Sequence, residues 1–138
     1  MAAPDTFRWT EAYSVNIGIL DEQHRALIDT VAQLREALHC GEGNSVLGSV
    51  LHDLVDYAGV HFLTEEGLME QHEFPGLALH RAQHEEFRER VAEFLQAYRA
   101  GRQCVAVSLH LYVETWLREH LRKTDMLYSA YLNARGVR

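Results

Sequence analysis

Residues 77–98, LALHRAQHEEFRERVAEFLQAY, carry the pattern that decides the fold. Apolar and aromatic side chains recur here every three or four residues, which is the period of one face of an α-helix. Two histidines four residues apart, His80 and His84, lie on the same stripe. Such a pair can hold one metal ion, or it can be two ordinary histidines on a solvated helix face. This stretch alone does not decide between the two interpretations.

The same spacing recurs in three other segments, whereas the signals for β-strands are poor. The pattern predicts four helices, over about residues 21–40, 45–71, 76–100 and 105–132. Residues 1–20 are expected to form an irregular N-terminal arm, and Asp21 and Ser45 are the expected N-caps of the first two helices. Long amphipathic helices with short loops are typical of an up-down-up-down four-helix bundle. We therefore predict an all-α fold in which residues 1–138 form a single domain.

Composition and charge exclude several classes of protein. A chain of 138 residues and 15.8 kDa is one domain of ordinary size. Its net charge of −7, with no basic stripe, argues against nucleic acid as a partner. No stretch of 18 apolar residues and no signal-peptide pattern is present, so we expect a cytoplasmic protein without a membrane span.

The two cysteines, Cys40 and Cys104, are too few and too far apart for a disulfide framework or a cysteine-based zinc site. We interpret them as semi-buried structural thiols. Both are expected at the same end of the bundle, so a redox-sensitive bridge is the alternative.

Nine histidines are unusually many for this length, and they fall into two groups. Five lie on the apolar stripes, where a polar ring must find a partner or be costly: His24, His61, His80, His84 and His120. The other four fall off the stripes or at helix ends and are expected to be solvated: His39, His52, His72 and His110.

Depth along the bundle gives a second reason to treat the stripe histidines as a group. The loops around 41–44 and 101–104 lie at the same end of an up-down bundle, and four stripe histidines, one per helix, are each about fifteen or sixteen residues from that end. At 1.5 Å per residue they lie roughly 22–24 Å down the bundle, in one layer. Core histidines satisfied by local carbonyl groups would have no reason to share one depth. The shared layer therefore indicates a metal site.

Two carboxylates accompany these histidines. Glu65 follows His61 by four residues, so both can face one ion. Asp125 follows His120 by five residues, an offset of roughly 140° in an ideal helix. The fourth helix must therefore bulge or bend between 120 and 125 if Asp125 is a ligand.

The donor count favours a pair of metal ions. Five imidazole nitrogens, four carboxylate oxygens and a bridging oxide that counts once per metal make eleven bonds, whereas two octahedra need twelve. One metal is left with an open position suited to a small diatomic ligand. Mixed imidazole and carboxylate ligation favours iron, with manganese or zinc as alternatives.

Four segments carry a resemblance to a known family: WTEAYSVNIG with DEQH (9–24), HFLTEEGLM (61–69), PGLALHRAQH (75–84) and WLREHLRKTDMLY (116–128). One histidine, then H-x-x-x-E, H-x-x-x-H and H-x-x-x-x-D, follow one another in this order. By these segments the chain resembles the bacterial hemerythrins, and because the segments lie between residues 9 and 128, the resemblance covers nearly the whole chain. No ligand position of the family is substituted.

The resemblance implies a non-haem di-iron centre that binds dioxygen. One iron would take three histidines and the other would take two and keep the vacancy, with two carboxylates and an oxo or hydroxo group bridging the pair. The implied ligands are His80, His84 and His120 for the first iron, His24 and His61 for the second, and Glu65 and Asp125 as the bridges.

The resemblance also implies a dry apolar pocket around the bound oxygen. Leu117 and Trp116, one turn before His120, are expected to line it, with Phe62 and Met69 as further candidates. In addition, Tyr128, three residues after Asp125, is a candidate partner that orients this carboxylate.

Reversible carriage, storage or delivery of dioxygen to an unidentified oxygen-consuming protein is the function that the resemblance implies. An enzyme of the same fold is the first alternative: a di-iron oxidase, a peroxidase, or a scavenger of oxygen or nitric oxide. Such oxygen-activating bundles usually contain more carboxylate ligands. A two-metal phosphohydrolase built on His52 and Asp53, and an oxygen or redox sensor that acts through partner contacts, are further alternatives.

Overall fold

The computed structural model describes residues 7–138, and within them all the regular structure is helical. The long elements are α1 (Gly18–His39), α2 (Gly43–Gln71), α3 (Leu77–Arg99), α4 (Val105–Glu119) and α5 (Asp125–Ala134), with a π-helical turn (His120–Thr124) joining the last two. Helix α1 packs against α2 and α4, and α3 packs against the same two helices. The expected four-helix bundle is therefore confirmed, with α4, the π-helical turn and α5 forming the fourth helix. None of the helices in the described part of the chain is long and apolar enough to cross a membrane.

The N-terminal segment is more ordered than the predicted irregular arm, whose residues 1–6 lie outside the described residues. A short 3-10 turn spans Glu11–Tyr13, and α1 begins at Gly18, three residues before the predicted start. The prediction that Asp21 is the N-cap is wrong. Its carboxylate accepts hydrogen bonds from the Ser14 hydroxyl at 2.6 Å and from the Val15 N–H at 2.9 Å. Asp21 thus fastens the arm to the first turn of α1.

Helix α2 also begins earlier than predicted, at Gly43, so Ser45 lies inside its first turn and is not the N-cap. Gly43 is buried, and a Cβ atom there would lie 2.5 Å from Cδ2 of Leu38 and 3.4 Å from the Cβ of Ala106. The absence of a side chain therefore lets the start of α2 pack closely against the end of α1 and the start of α4.

The fourth helix contains the bulge that the five-residue offset requires. The backbone N–H of Asp125 donates to the carbonyl of His120, five residues earlier, and His120–Thr124 form a π-helical turn. The extra residue in this turn brings His120 and Asp125 onto one face. Both side chains are buried.

The two cysteines are exposed free thiols, so their interpretation as semi-buried is wrong. Cys40 is the C-cap of α1 and Cys104 is the N-cap of α4, and residues at such helix ends lie outside the apolar stripes. Cys104 also adopts the left-handed backbone conformation, with φ +63°.

Buried apolar side chains form two clusters, one on each side of the histidine layer. The larger contains residues such as Leu27, Leu51, Phe62, Phe87 and Leu117, and fills the bundle towards the loops at 41–44 and 101–104. The smaller joins the arm to the far ends of α2 and α5. Its buried members are Val15, Ile17, Leu20, Met69, Tyr128 and Leu132. The polar layer is thus covered by apolar side chains above and below.

Candidate metal centre

Seven side chains from all four helices of the bundle meet between the two apolar clusters. They are the seven candidate ligands of the sequence: His24, His61, Glu65, His80, His84, His120 and Asp125. Each is at most 3% exposed. Their nitrogen and oxygen atoms form two groups, within each of which every atom lies within 4.8 Å of the others. One group holds two histidines with both carboxylates, and the other holds three histidines with Glu65.

Glu65 lies between the two groups of histidines. Its Oε1 atom contacts Nε2 of His61, at 2.5 Å, and Nε2 of His24, at 3.1 Å. Its Oε2 atom lies 3.0 Å from Nε2 of His80 and 3.5 Å from Nε2 of His84. Each oxygen of one carboxylate therefore faces a different group.

Asp125 divides its oxygens in the same way. Oδ2 lies 3.1 Å from Nε2 of His24, whereas Oδ1 lies 3.2 Å from Nε2 of His80 and 3.0 Å from Nε2 of His120. Two carboxylates that each face both groups have the arrangement of bridging ligands. The π-helical turn is the local feature that gives Asp125 this position.

The outer ring nitrogens are held by residues that sequence reasoning missed. Nδ1 of His61 lies 2.7 Å from Oε1 of Gln23, and Nδ1 of His120 lies 3.1 Å from Oε1 of Gln83. Amide oxygens only accept hydrogen bonds, so both rings carry their proton on Nδ1 and turn the lone pair of Nε2 towards the centre. Such outer partners fix the tautomer and the orientation of metal-binding histidines.

His84 has a carboxylate as its outer partner. Its Nδ1 donates to Oε2 of Glu66 at 2.8 Å. A possible signal was present in the sequence, because Gln23 and Gln83 each directly precede a candidate histidine, and Glu66 directly follows Glu65. Each of the three contacts a histidine of the neighbouring helix, however, and spacing along one helix does not predict such a contact.

The residues fit a pair of bound cations. Neither oxygen of Asp125 has a hydrogen-bond partner of acceptable geometry, although three imidazole nitrogens lie within 3.2 Å of them. Nε2 of His84 and Nε2 of His120 lie only 3.3 Å apart. Buried carboxylates without hydrogen bonds and imidazole nitrogens that face one another are costly arrangements. A metal ion between them satisfies both, and mixed nitrogen and oxygen donors suit the transition metals.

Burial and mutual contact shift the pKa values of the cluster in opposite directions. Burial lowers the pKa values of His24 and His80, but close contacts with the carboxylates of Asp125 and Glu65, and the charges of these carboxylates, outweigh it and raise both to about 9. Burial lowers the pKa of His61. The pKa values of Glu65 and Asp125 stay below their ordinary range, because contacts with the histidines outweigh burial. With no metal bound, two protonated histidines would balance two carboxylates.

Three of the four expected pocket residues lie together. Phe62 and Leu117 are buried in the larger apolar cluster, and Trp116 packs against it. The ring of Phe62 stacks on His84 with centroids 3.8 Å apart, and the ring of Trp116 stacks on His120 at 4.3 Å. Met69 belongs to the smaller cluster, so the four residues do not form one wall. Both aromatic rings cover the three-histidine group, although Phe62 also approaches His61 at 5.8 Å.

Tyr128 lies beside the cluster, but it makes no hydrogen bond to Asp125. Its side chain is fully buried, its ring lies 5.4 Å from that of His80, and its hydroxyl has no partner of acceptable geometry. Burial and the charges of Asp125 and Glu65 raise the pKa of this hydroxyl well above 10. Tyr128 therefore stays protonated in this setting.

The remaining histidines lie outside the cluster. His52 is exposed and pairs with Asp56 at 3.0 Å, and neither His52 nor Asp53 belongs to the two groups of candidate ligands. His39 is exposed and His72 is half-buried. The expectation that His110 is solvated is wrong: its side chain is only 12% exposed, and burial lowers its pKa.

Comparisons with known proteins agree with this geometry. The model of the hemerythrin HHE cation binding domain family matches residues 15–132. Bacteriohemerythrin of Methylococcus capsulatus is 32% identical, with 91% of this chain and 96% of the relative covered, and myohemerythrin of Sipunculus nudus is 27% identical, with 94% and 96% covered. The crystal structure of a wild-type hemerythrin superposes with a TM-score of 0.81 at 32% identity, covering 90% of this chain and 95% of that chain. The chain belongs to the hemerythrin family.

Proposed function

We propose that the protein binds dioxygen reversibly at a non-haem di-iron centre, for carriage, storage or delivery of oxygen. The observation that carries the proposal is the placement of the carboxylate oxygens of Glu65 and Asp125. Each carboxylate turns one oxygen towards the two-histidine group and the other towards the three-histidine group. In this proposal His24 and His61 would hold one iron and His80, His84 and His120 would hold the other, while Glu65 and Asp125 would each supply an oxygen to both.

A pair of bound ferrous ions would supply the two electrons that dioxygen accepts on binding. The chain's own residues orient the ligands and exclude water. Gln23 and Gln83 fix the inward-facing nitrogen of their histidines. The two apolar clusters enclose the layer, and the stacked rings of Phe62 and Trp116 cover the three-histidine group. A dry surrounding slows the entry of water and anions to the centre.

The histidine-rich donor set supports a carrier over an oxygen-activating enzyme. Oxygen-activating di-iron bundles usually place a glutamate on each of two helices and a Glu-x-x-His pair on each of the other two. Here five histidines and two carboxylates converge. The proposal includes a cytoplasmic location and an oxygen-consuming protein as recipient.

Repeated oxygenation tests the proposal. The protein is loaded with iron, reduced without air, exposed to oxygen and purged, while the visible absorption spectrum is followed through several cycles. A charge-transfer band that appears with oxygen and disappears on purging is expected. A single irreversible passage to oxidised iron would contradict reversible binding and would favour an oxygen-consuming enzyme.

Variants connect this spectrum to the candidate ligands. His80→Ala and His84→Ala are expected to lower iron content, because each removes a nitrogen that faces Glu65. His52→Ala is the control, because the His52 side chain is 74% exposed and does not belong to the cluster of candidate ligands. Equal loss of iron in all three variants would refute the ligand assignment.

A further inference from the structure

The outer partners of the candidate ligands differ in charge. His61 and His120 donate to the neutral amides of Gln23 and Gln83, whereas His84 donates to the carboxylate of Glu66. Among the partners that the structure describes for the Nδ1 atoms of the candidate ligands, Glu66 is the one with a negative charge. It falls on the group of three histidines.

Glu66 is held in place by a second contact. Its Oε2 atom accepts from His84, and its Oε1 atom lies 3.2 Å from Nε of Arg81. Arg81 also donates to Glu70 at 3.0 Å. Glu66 is 12% exposed and Arg81 is 46% exposed, so the chain of contacts leads from the surface to a fully buried histidine.

From these contacts we infer that Glu66 is a positioning residue which strengthens His84 as an electron donor and stabilises the oxidised form of the iron held by His80, His84 and His120. This inference rests on the proposed function, because it concerns the same di-iron centre. Arg81 orients Glu66 and offsets part of its charge.

The physical reason is the effect of a carboxylate on a hydrogen-bonded imidazole. A carboxylate that accepts the outer N–H of a metal-binding histidine makes the ring a more basic ligand. A more basic ligand stabilises ferric iron relative to ferrous iron. The effect is strong where His84 is fully buried, because the surrounding dielectric is low there. The opposing effect of Arg81 is smaller, because solvent screens its half-exposed charge.

The chain contains its own controls for this effect. Gln23 and Gln83 show that an amide oxygen at this kind of position accepts the outer N–H of a centre histidine. Glu66→Gln should therefore keep the hydrogen bond to His84 and remove only the charge. Gln83→Glu places a charge beside His120 of the same group.

The reduction potentials of the iron-loaded proteins test the inference. They are measured by an anaerobic redox titration that follows the visible spectrum, and the iron content per chain is determined for each variant. Glu66→Gln is expected to favour the ferrous form about tenfold, which is about 59 mV upward for one electron. Gln83→Glu should shift the potential downward. Arg81→Gln should also shift it downward, by less, because it leaves Glu66 uncompensated.

Opposite signs separate this role from a merely structural one, which would affect Glu66→Gln and Arg81→Gln alike. A wild-type potential in Glu66→Gln, or shifts of the same sign in these two variants, would overturn the inference. If Glu66→Gln does not retain iron, Gln83→Glu decides, and an unchanged potential there would overturn it as well. Failure of the proposed function looks different: the wild-type protein would hold iron with a measurable potential but would not oxygenate reversibly.

Discussion

Metal binding by the metal-free protein should release protons, and the structure indicates how many. His24 and His80 have pKa values of about 9, so at pH 7 each ring is about 99% protonated. A ring must lose its proton from Nε2 before that atom can bind a metal ion. The pKa values of Glu65 and Asp125 are lowered and that of His61 is lowered too, so these three need not release a proton at pH 7.

Saturation with Zn²⁺, a redox-inactive probe, should therefore release about two protons per chain from His24 and His80 at pH 7, and one more if a water between the ions ionises. Calorimetric titration in buffers of different ionisation enthalpy measures this number. The apparent affinity for each zinc ion should rise by up to about tenfold per pH unit below pH 9, because each group of histidines releases one proton, and it should level off above that pH. His52→Ala should leave the count unchanged, because its ring is exposed. Zinc binding with no proton release and no dependence on pH would refute the charge balance described for the centre.

Three further predictions concern stability and the π-helical turn. The metal-free protein should be most stable near pH 6.5 in thermal unfolding at a series of pH values. The raised pKa values of His24 and His80 stabilise the fold below about 6.5, and this effect is lost as pH rises through about 9. Below pH 6.5 the lowered pKa values of His61 and His110 destabilise the fold, and below about pH 4.5 the stabilisation from the lowered carboxylate pKa values is lost as well, so an optimum above pH 8 would contradict this balance. Phe62→Ala should lower the free energy of unfolding by about 3–5 kcal/mol in a denaturant titration, because it removes a fully buried ring that stacks on His84, and a loss below 1 kcal/mol would contradict the packing described. Deletion of the exposed Arg122 should convert the π-helical turn into an α-helical one. The spacing from His120 to Asp125 then becomes four residues, an angular offset of about 40°, so both side chains still lie on one face. Iron per chain should stay unchanged, and complete loss of iron would show that the bulge itself is required.

The sequence predicts the elements whose causes are local. Apolar spacing predicts the four helices, and the five-residue offset of His120 and Asp125 already requires the bulge that the structure contains. Helix starts depend on tertiary contacts, which spacing does not report. Asp21 could serve as a cap, but the arm brings Ser14 within reach of its carboxylate.

The missed parts of the centre have the same physical origin. The partners Gln23, Gln83 and Glu66 act on histidines of neighbouring helices, so their roles follow from how the helices are rotated against one another. Met69 shares an apolar stripe with Phe62 but falls into the other cluster, because the polar layer separates the two positions. Periodicity assigns a residue to a face of the helix and leaves its depth relative to the centre undetermined.

The number and the magnetic coupling of the bound irons decide whether the two groups of histidines hold a bridged pair. We predict two irons per chain after reconstitution, coupled through shared bridges so that the oxidised centre gives no signal of isolated ferric iron in electron paramagnetic resonance. Replacement of both proposed bridging carboxylates, Glu65→Gln with Asp125→Asn, should abolish this pairing. One iron per chain, or two with the signal of isolated ferric ions, would contradict a bridged pair between the two groups of histidines.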